Sequence, residues 1–457
     1  MAYYILRSFK TNLSAPAIFE AFSRRKGVFF LDSSLRCRER GRFSFIGSDP
    51  FLIFQTKGKD PIPRLRQLMN RYSFRAPSSS PPFLTGAVGY LSYDLGFAFE
   101  KSLRAGVKEN PGIPESFFAF YNTAVIIDHW KRLLYVCASG FPEKSLGPAK
   151  LLAENNFRRT LRLIEGVNNQ KIKHPRALPP WGLKTSMDKQ EYLRAVQTAK
   201  EYIRRGDIYQ VNLSQEFRAR TKATAVDIYR RLRSLSPSCF SAYFDAGDHQ
   251  LLSSSPERFL LVEGKRVSTR PMKGTRPRAG KAGRDLCLKN DLLKSAKDKA
   301  ELMMIVDLER NDLGKVCDYH SLRVKRLRQL EAYRTVYQTT ADIEGRLYKN
   351  KDRLDALRSC FPGGSITGCP KIRSMEIIEK LEKHRRSIYT GALGYLSYSG
   401  NMDFKVLIRT ILKKKERVYF CSGGGIVADS SARREFQEML VKAGAMLKAI
   451  GARKAPL

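Results

Sequence analysis

A single lysine, Lys273, precedes Gly274 in a strongly basic stretch and is a candidate nucleophile. A free lysine has a pKa near ~10.4, and a shift to ~7–8 takes roughly 4 kcal/mol, which burial and nearby cations can supply. Arg270, Arg276 and Arg278 are such cations, and the glycine lets the backbone approach a ligand. The same residues also fit a basic, proline-bounded turn on the surface.

Two pairs of acidic residues have helical spacing. Asp298 and Glu301 are three residues apart, as are Glu435 and Glu438, so each pair shares a helix face. Two pairs that converge would suit Mg²⁺, which takes oxygen ligands and usually one or two carboxylates with water and an anionic substrate. Exposed acids among many bases are the alternative interpretation.

Three further features favour an anionic ligand. Phe361 to Lys371 is a glycine-rich turn before a predicted helix, whose first amides favour anions, although it lacks the Gly-Lys-Ser/Thr of a Walker loop. The consecutive glycines Gly423, Gly424 and Gly425 can form a second anion nest. Arg409, at the end of a predicted strand over 404–408, can grip a carboxylate. Together these features predict a site for a small, multiply anionic substrate held with a divalent metal.

The elements that must position these residues follow from periodicity. A helix is predicted from the start signal Thr185-Ser-Met-Asp188 to Gly206, followed by a strand over 207–214 with Gln210 and Asn212 on one face. Other predicted helices cover 60–72, 147–164, 294–317, 372–383 and 435–450. Short strands are predicted over 1–55, at 124–128 and at 133–137.

A nine-residue segment occurs twice. Thr85 to Tyr93 recurs as Thr390 to Tyr398 with one conservative change. The distance between the copies is far longer than a solenoid repeat and predicts two similar halves, each giving a glycine-bearing strand to a shared core. We expect an N-terminal region over 1–140, a helix and linker over 141–184, with the linker at 167–183, and a catalytic region over 185–451.

Composition limits the class of protein. The 457 residues permit a large core, the eight cysteines form no Cys-x-x-Cys pair, and no apolar run approaches the ~20 residues that span a bilayer. These features predict a cytoplasmic protein with no membrane segment. The net charge of +39 leaves a nucleic-acid-binding protein as the alternative of a different class, but the charge is dispersed and no binding motif accompanies it.

Several motifs identify a family. The chain resembles, nearly end to end, the chorismate-binding large subunits of anthranilate and aminodeoxychorismate synthases. The stretches that carry the resemblance are Gly206 to Leu213, Ser255 to Arg258, Thr269 to Thr275, Asp307 to Asp312, Phe361 to Lys371 and Gly423 to Asp429. The resemblance implies an α/β (α+β) fold in which two largely antiparallel sheets pack face to face with helices outside.

Two positions distinguish the branches of this family. Anthranilate synthases carry alanine at the position of Lys273, whereas isochorismate and salicylate synthases carry a water-activating lysine at the position of Gln210. Gln210 together with Lys273 therefore resembles the aminodeoxychorismate synthase pattern, with anthranilate synthase component I as the alternative. The implied reaction replaces the 4-hydroxyl of chorismate with ammonia in two displacements, the first made by Lys273, on the route to 4-aminobenzoate and folate.

The resemblance also implies site residues. Lys273 and Glu301 would be catalytic, and Glu301, Glu435 and Glu438 would hold Mg²⁺. The substrate would contact Gln210, Thr275, Thr367, Lys371, Tyr389, Arg409, Gly423, Gly424 and Gly425. Ser33 and Ser34 resemble part of the family's tryptophan pocket, which would be regulatory or only structural here.

This sequence departs from the family pattern at two positions. Gln338 stands where relatives usually have histidine, in the segment 335–341, which fits amination without elimination because no imidazole is present to move a ring proton. Lys405 replaces a small residue and is expected to add charge to the substrate pocket. Since no amidotransferase signature occurs in the chain, ammonia is expected from a separate glutamine amidotransferase subunit, and a separate aminodeoxychorismate lyase would finish 4-aminobenzoate.

Overall fold

The computed structural model describes residues 3–36, 40–100, 102–104, 106–169, 178–280, 282–332, 336–452 and 455. The strands are β1 (Tyr4–Lys10), β2 (Phe29–Asp32), β3 (Phe43–Gly47), β4 (Leu52–Thr56), β5 (Gly86–Leu91), β6 (Ser116–Tyr121), β7 (Thr123–Asp128), β8 (Leu133–Ser139), β9 (Trp181–Thr185), β10 (Gln210–Arg220), β11 (Phe240–Asp245), β12 (Gln250–Ser255), β13 (Arg258–Glu263), β14 (Arg266–Arg270), β15 (Met272–Pro277), β16 (Arg323–Ala332), β17 (Val336–Arg346), β18 (Gly368–Cys369), β19 (Ala392–Ser397), β20 (Met402–Val406), β21 (Thr410–Lys414) and β22 (Arg417–Ile426). The helices are α1 (Ala15–Phe22), α2 (Ile62–Arg71), α3 (Gly96–Phe99), α4 (Leu146–Glu165), α5 (Lys189–Arg204), α6 (Ala225–Leu235), α7 (Ala282–Lys294), α8 (Ala296–Gly314), α9 (Arg353–Cys360), α10 (Lys371–Leu381) and α11 (Ala432–Ala449).

Two antiparallel sheets organise the chain. The first runs β1-β8-β7-β3-β2-β11-β12-β21-β22-β10-β18, with β9 also on β10. The second runs β15-β17-β14-β13-β20-β19-β5-β6-β4, with β16 also on β17. Both sheets combine strands from before residue 140 with strands from after residue 185, so the N-terminal and catalytic regions share both sheets.

Apolar side chains form one core between the sheets and one on each outer face. Phe29 and Ile126 of the first sheet meet Val88 and Leu393 of the second in the central cluster. Helices α5, α6 and α11 cover the outer face of the first sheet, while α2, α8 and α9 cover that of the second. This arrangement confirms the predicted fold class of two packed sheets flanked by helices.

The repeated segment forms a pair of neighbouring strands. β5 and β19 pair antiparallel in the second sheet, with Gly89 opposite Gly394. A Cβ at Gly89 would lie 2.0 Å from the carbonyl oxygen of Phe117, and a Cβ at Gly394 would lie 2.1 Å from that of Asp403. Both glycines are therefore required by close backbone approach, and the predicted shared core of the two copies is confirmed.

Most predicted elements are present with shifted ends. The helix start predicted within Thr185-Ser-Met-Asp188 is confirmed, and Asp188 is the cap of α5, in a reciprocal capping box with Glu191. The helix predicted over 294–317 is α8, which starts at Ala296 because Ser295 caps it by accepting from the Asp298 amide, and a separate helix, α7, ends just before it. The predicted linker contains the start of β9, and its residues 170–177 lie outside the described part of the chain. No helix of the described ranges has the length and apolarity needed to cross a bilayer.

Candidate active site

Lys273 lies where an edge of each sheet comes close to the other. It is on the edge strand β15 of the second sheet, and its Nζ donates a 3.1 Å hydrogen bond to Oε1 of Gln210, at the start of β10 in the first sheet. The Nζ is also 3.8 Å from Oε2 of Glu301 on α8. Only 13% of the Lys273 side chain is exposed, so the interpretation as a solvated surface turn is wrong.

The glycines of β22 make room for this lysine. A Cβ at Gly425 would lie 2.9 Å from Lys273 Nζ and 3.1 Å from Cδ of Gln210, so a side chain there would displace the amine. Gly423 serves the sheet instead, because its Cβ would lie 2.1 Å from the carbonyl oxygen of Leu213 on β10. The consecutive glycines thus have different roles along one strand.

Burial lowers the pKa of Lys273, and the Lys442 ammonium lowers it further, while the Glu301 carboxylate opposes the shift. The neighbouring arginines act differently from the sequence-based prediction. Arg276 pairs with Asp291 and, at 3.0 Å, with Asp298. Arg270 pairs with Glu331 and Arg278 lies 3.6 Å from Asp285, so local acids balance the arginines. The pKa of Lys273 is therefore set by burial, Glu301 and Lys442, and not by the arginines next to it in the sequence.

The three predicted metal ligands lie on two helices that face the amine and β22. A Cβ at Gly424 would be 3.3 Å from Oε2 of Glu435 and 3.9 Å from Oε1 of Glu438 on α11. Glu438 pairs with Lys442 at 2.7 Å, and this ammonium holds the pKa of the Glu438 carboxyl below its usual value. Burial raises the pKa of Glu435, which accepts a 2.7 Å hydrogen bond from Ser430.

The donor chemistry at this position fits a hard cation. Lys273 Nζ interacts electrostatically with carboxylates of two helices, Glu301 of α8 and Glu438 of α11. Mg²⁺ commonly takes one or two carboxylates and completes its shell with water and substrate oxygens. Among the described residues, no three acidic, histidine or cysteine side chains are grouped as a ready-made metal cage. Asp298 pairs with Arg276, whereas Glu301 is the acid of this spaced pair that faces Lys273.

Glu257 belongs to the site although the sequence reasoning gave it no role. It lies just before β13, is buried, and accepts a 2.7 Å hydrogen bond from Ser365 Oγ. Burial raises its pKa to about 7, and the charges of Lys273 and Lys442 act on it in the opposite direction. An acid buried within the electrostatic reach of a candidate nucleophile is suited to proton transfer near neutrality. Its position in the Ser255–Arg258 motif was the available signal.

Lys442 was also missed. Its Nζ donates 3.1 Å to the carbonyl oxygen of Gly423 and lies 3.5 Å from the position of a Cβ on Gly424. Its spacing of four residues from Glu438 on a predicted helix was the signal that would have found it.

Other predicted substrate contacts support the walls of the site. Thr367 is buried, donates 2.9 Å to the carbonyl of Gly363, and its own carbonyl accepts 2.8 Å from the Asn212 amide. Lys371 begins α10 and pairs with Asp312, so it ties the glycine-rich turn to α8. Thr367 therefore holds the turn against β10, and Lys371 holds it against α8.

Tyr389 and Arg409 lie in the segments around β19 and β20. Tyr389 is buried, which raises the pKa of its hydroxyl, and the Arg386 guanidinium lies 5.6 Å from its ring centre. The strand predicted over 404–408 ends at Val406, so Arg409 does not close it. Arg409 instead has a left-handed backbone, with φ of 50°, where the chain passes from the second sheet to β21 of the first.

Gln338 packs beside the nucleophile's strand. On β17 it pairs with Thr275, and its Nε2 donates 3.2 Å to Thr275 Oγ1. Thr339 Oγ1 next to it donates 2.6 Å to the carbonyl oxygen of Lys273. The first residue of the 335–341 segment, Thr335, lies outside the described residues.

Besides the site at Lys273, the fold contains a second cavity, of about 370 Å³, between the two sheets. Ser33 lines it and donates 2.7 Å to the carbonyl of Phe43, while Ser34 donates 3.0 Å to the carbonyl of Ser238. Lys405 also lines this cavity, where its ammonium donates to the carbonyl of Phe240. The expectation that Lys405 adds charge to the substrate pocket is therefore wrong, since β20 turns its side chain to the other cavity.

Comparison with known proteins agrees with this fold. A family model described as chorismate binding enzyme matches residues 28–448. Anthranilate synthase component 1 of Thermus thermophilus is 35% identical over 97% of this chain and 97% of its own length. Aminodeoxychorismate synthase component 1 of Escherichia coli is 33% identical over 95% of this chain and 96% of its own length. The crystal structure of anthranilate synthase component I from Streptococcus pneumoniae has a TM-score of 0.77 at 32% identity, covering 90% of this chain and 95% of that one.

The family match over most of the chain and the shared fold place this protein among enzymes. The chain belongs to the chorismate-binding enzyme family, and it is a chorismate-using enzyme related to anthranilate synthase component I.

Proposed function

We propose that this enzyme is an aminodeoxychorismate synthase component 1, which converts chorismate and ammonia to 4-amino-4-deoxychorismate. The observation that carries the proposal is the buried Lys273 amine, hydrogen-bonded to Gln210 and 3.8 Å from Glu301. An amine with a lowered pKa has the neutral fraction that a nucleophile needs.

The reaction proceeds by two displacements. The neutral amine of Lys273 attacks ring carbon 2 while the 4-hydroxyl leaves carbon 4, and the two conjugated double bonds of the ring each shift by one position, from C1=C2 to C1=C6 and from C5=C6 to C4=C5. Glu257, with a pKa of about 7, supplies the proton that lets the hydroxyl leave as water. Ammonia then attacks carbon 4, the lysine leaves carbon 2, and the proton lost from nitrogen returns to the buried acid. Two displacements give net retention, and the enolpyruvyl group stays on the ring.

Glu301 and Glu438, with help from Glu435, are the residues that would hold Mg²⁺. The ion, when bound, neutralises the ring carboxylate of the substrate. The amides around Gly424 and Gly425, together with Arg409, bind further carboxylate oxygens. Gln210 keeps the amine directed at the ring through its 3.1 Å hydrogen bond.

The ammonia comes from a glutamine amidotransferase subunit, and the product passes to a separate aminodeoxychorismate lyase on the way to 4-aminobenzoate and folate. Direct use of ammonium at high concentration would replace the partner in an assay. This gives a simple test of the reaction without the second subunit.

Anthranilate synthase component 1 is the second candidate, because more of the similar proteins bear that name than the name aminodeoxychorismate synthase. In that reaction the enolpyruvyl group leaves as pyruvate and the product is 2-aminobenzoate. The two candidates therefore differ in whether pyruvate is released without an added lyase.

The test incubates the full chain with chorismate, Mg²⁺ and ammonium and separates the products by chromatography with mass detection. Aminodeoxychorismate, converted to 4-aminobenzoate and pyruvate only when a lyase is added, supports the proposal. Pyruvate and 2-aminobenzoate formed without a lyase would establish the second candidate instead. Omitting ammonium and digesting the quenched enzyme tests for a substrate adduct on the Lys273 peptide.

A further inference from the structure

Each acid proposed as a metal ligand already has a partner on the protein. Lys442 Nζ lies 2.7 Å from Oε1 of Glu438. Glu301 lies between two ammonium groups, with Lys273 Nζ at 3.8 Å and Lys297 Nζ at 3.9 Å. Glu435 accepts its hydrogen bond from Ser430. The negative charge that would attract a divalent cation is therefore balanced by lysines.

Lys442 has surroundings that resemble those of a bound cation. Its Nζ contacts a carboxylate oxygen of Glu438 and, at 3.1 Å, the backbone oxygen of Gly423. It also lies 3.5 Å from the position of a Cβ on Gly424, where Oε2 of Glu435 is 3.3 Å away. Oxygen atoms of carboxylates and backbone carbonyls are the ligands of hard cations. An ammonium and a divalent cation cannot share this position, because both need the same oxygen of Glu438.

We propose that the Lys442 ammonium is a built-in occupant of the cation site, and that a divalent ion binds Glu438 only when this ammonium moves away. The inference rests on the proposed function, since it takes Glu301 and Glu438 as the metal ligands. The pair can open readily, because it joins residues four apart on one helix and both side chains are partly exposed, at 36% and 56%.

The displacement of this ammonium couples the binding of the metal to the binding of the substrate. A divalent ion near Glu438 repels the Lys442 and Lys297 ammonium groups, and these charges favour an anion beside them. A dicarboxylate substrate supplies that anion. The metal therefore binds weakly by itself and tightly with the substrate, and the substrate gains the same factor from the metal because coupling between two sites is reciprocal.

The experiment measures Mn²⁺ binding to the full chain, by the loss of the free-ion electron paramagnetic resonance signal, without and with chorismate in the absence of ammonia. Lys442→Met and Lys442→Gln both remove the charge, and Lys442→Gln keeps a donor for the Gly423 carbonyl. Lys448→Met is the matched control, an exposed lysine on the same helix. We expect both Lys442 variants to bind Mn²⁺ about tenfold or more tightly than the wild type without substrate, and Lys448→Met to be unchanged.

The effect of chorismate on Mn²⁺ affinity is a second measurement of the inference. Chorismate should tighten Mn²⁺ binding in the wild type and have a smaller effect in the Lys442 variants. Equal Mn²⁺ affinity of wild type and both variants without substrate would overturn the role of Lys442, even if the wild type makes aminodeoxychorismate. Mn²⁺ binding that survives Glu301→Gln and Glu438→Gln unchanged would show that the metal site itself is elsewhere, and that result would overturn the inference together with its metal site. Product analysis of the wild type decides the proposed reaction separately.

Discussion

Lys273 Nζ and Gln210 Oε1 are joined by a 3.1 Å hydrogen bond that connects an edge strand of one sheet to the first residue of β10 in the other. The bond fixes the direction of the amine without giving it a full counter-charge, because an amide oxygen is neutral. Burial can therefore lower the pKa of Lys273, which a directly hydrogen-bonded carboxylate would raise.

Replacement of Lys273 tests the covalent step. Lys273→Ala removes the amine, and Lys273→Arg keeps the positive charge in a group that does not lose its proton at working pH. Both variants should lose turnover by on the order of 10³-fold or more while chorismate affinity changes little, because the nucleophile acts after binding. Turnover comes from product analysis and affinity from calorimetry. Wild-type activity in either variant would exclude the adduct.

Alanine substitutions at two glycines of β22 are expected to have different effects, one on turnover and one on thermal stability. In Gly425→Ala the new Cβ would lie 2.9 Å from Lys273 Nζ, the movable end of a side chain, so the amine should leave Gln210. We expect turnover to fall with little change in thermal unfolding. Gly423→Ala would bring a Cβ to 2.1 Å from a backbone oxygen, so the midpoint of unfolding should fall instead. Equal thermal destabilisation of both variants would contradict this division.

The charge of Lys442 predicts a shift in the titration of Lys273. The Lys442 ammonium lowers the pKa of Lys273, so Lys442→Met should raise that pKa. A higher pKa leaves less neutral amine at a given pH. With metal removed by chelation, labelling of Lys273 by an amine-specific reagent should become slower, and its pH midpoint should move upward. Lys448→Met, on the exposed side of α11, should leave the midpoint in place, and a downward shift in Lys442→Met would contradict the electrostatic role.

Local patterns in the sequence predicted much of this structure. The capping box at Asp188 and the repeated strands depend on neighbours close in the chain or on an identical copy, and both are present. The basic stretch around Lys273 allowed both a surface turn and a buried amine; the structure shows the side chain mostly buried, and its reactivity stays a prediction. The helix cap and the repeated strands could be predicted because helix or strand periodicity determines which residues are partners.

The remaining features depend on residues distant in the chain. Arg276 finds Asp291 and Asp298 only after α7 and α8 fold against β15, so its charge is balanced in a way that the basic stretch alone cannot reveal. The direction of Lys405 depends on which neighbours β20 acquires in the sheet, and pairing with β13 and β19 turns the side chain toward the second cavity. Sequence spacing determines which residues share a face of a strand or helix, whereas the order of the strands in the sheet determines what that face contacts.

A buried acid away from the amine predicts how stability depends on pH. Glu309 on α8 accepts a 2.8 Å hydrogen bond from Thr269, and burial, followed by the nearby charges of Glu257 and Asp312, raises its pKa to about 8. An unfolded glutamic acid has a pKa near ~4.3. Between these two values the folded chain binds a proton that the unfolded chain has lost. The stability from this proton is fully present below the unfolded pKa and is lost as the pH rises through the folded pKa.

Glu309→Gln should remove this dependence, because a neutral amide imitates the protonated acid. The free energy of unfolding of the wild type should fall relative to that of Glu309→Gln by at most about 1.4 kcal/mol per pH unit between the two pKa values. Urea midpoints at about pH 5 and about pH 8.5 measure this difference in stability. Glu257 and Asp94 also have raised pKa values that change the stability in the same direction, and their contributions cancel when the wild type is compared with the variant. Asp307→Asn, an exposed acid on the same helix, is the control and should follow the wild type. If the gap between Glu309→Gln and the wild type is the same at both pH values, Glu309 does not titrate in the folded chain over this range and the assigned shift is wrong.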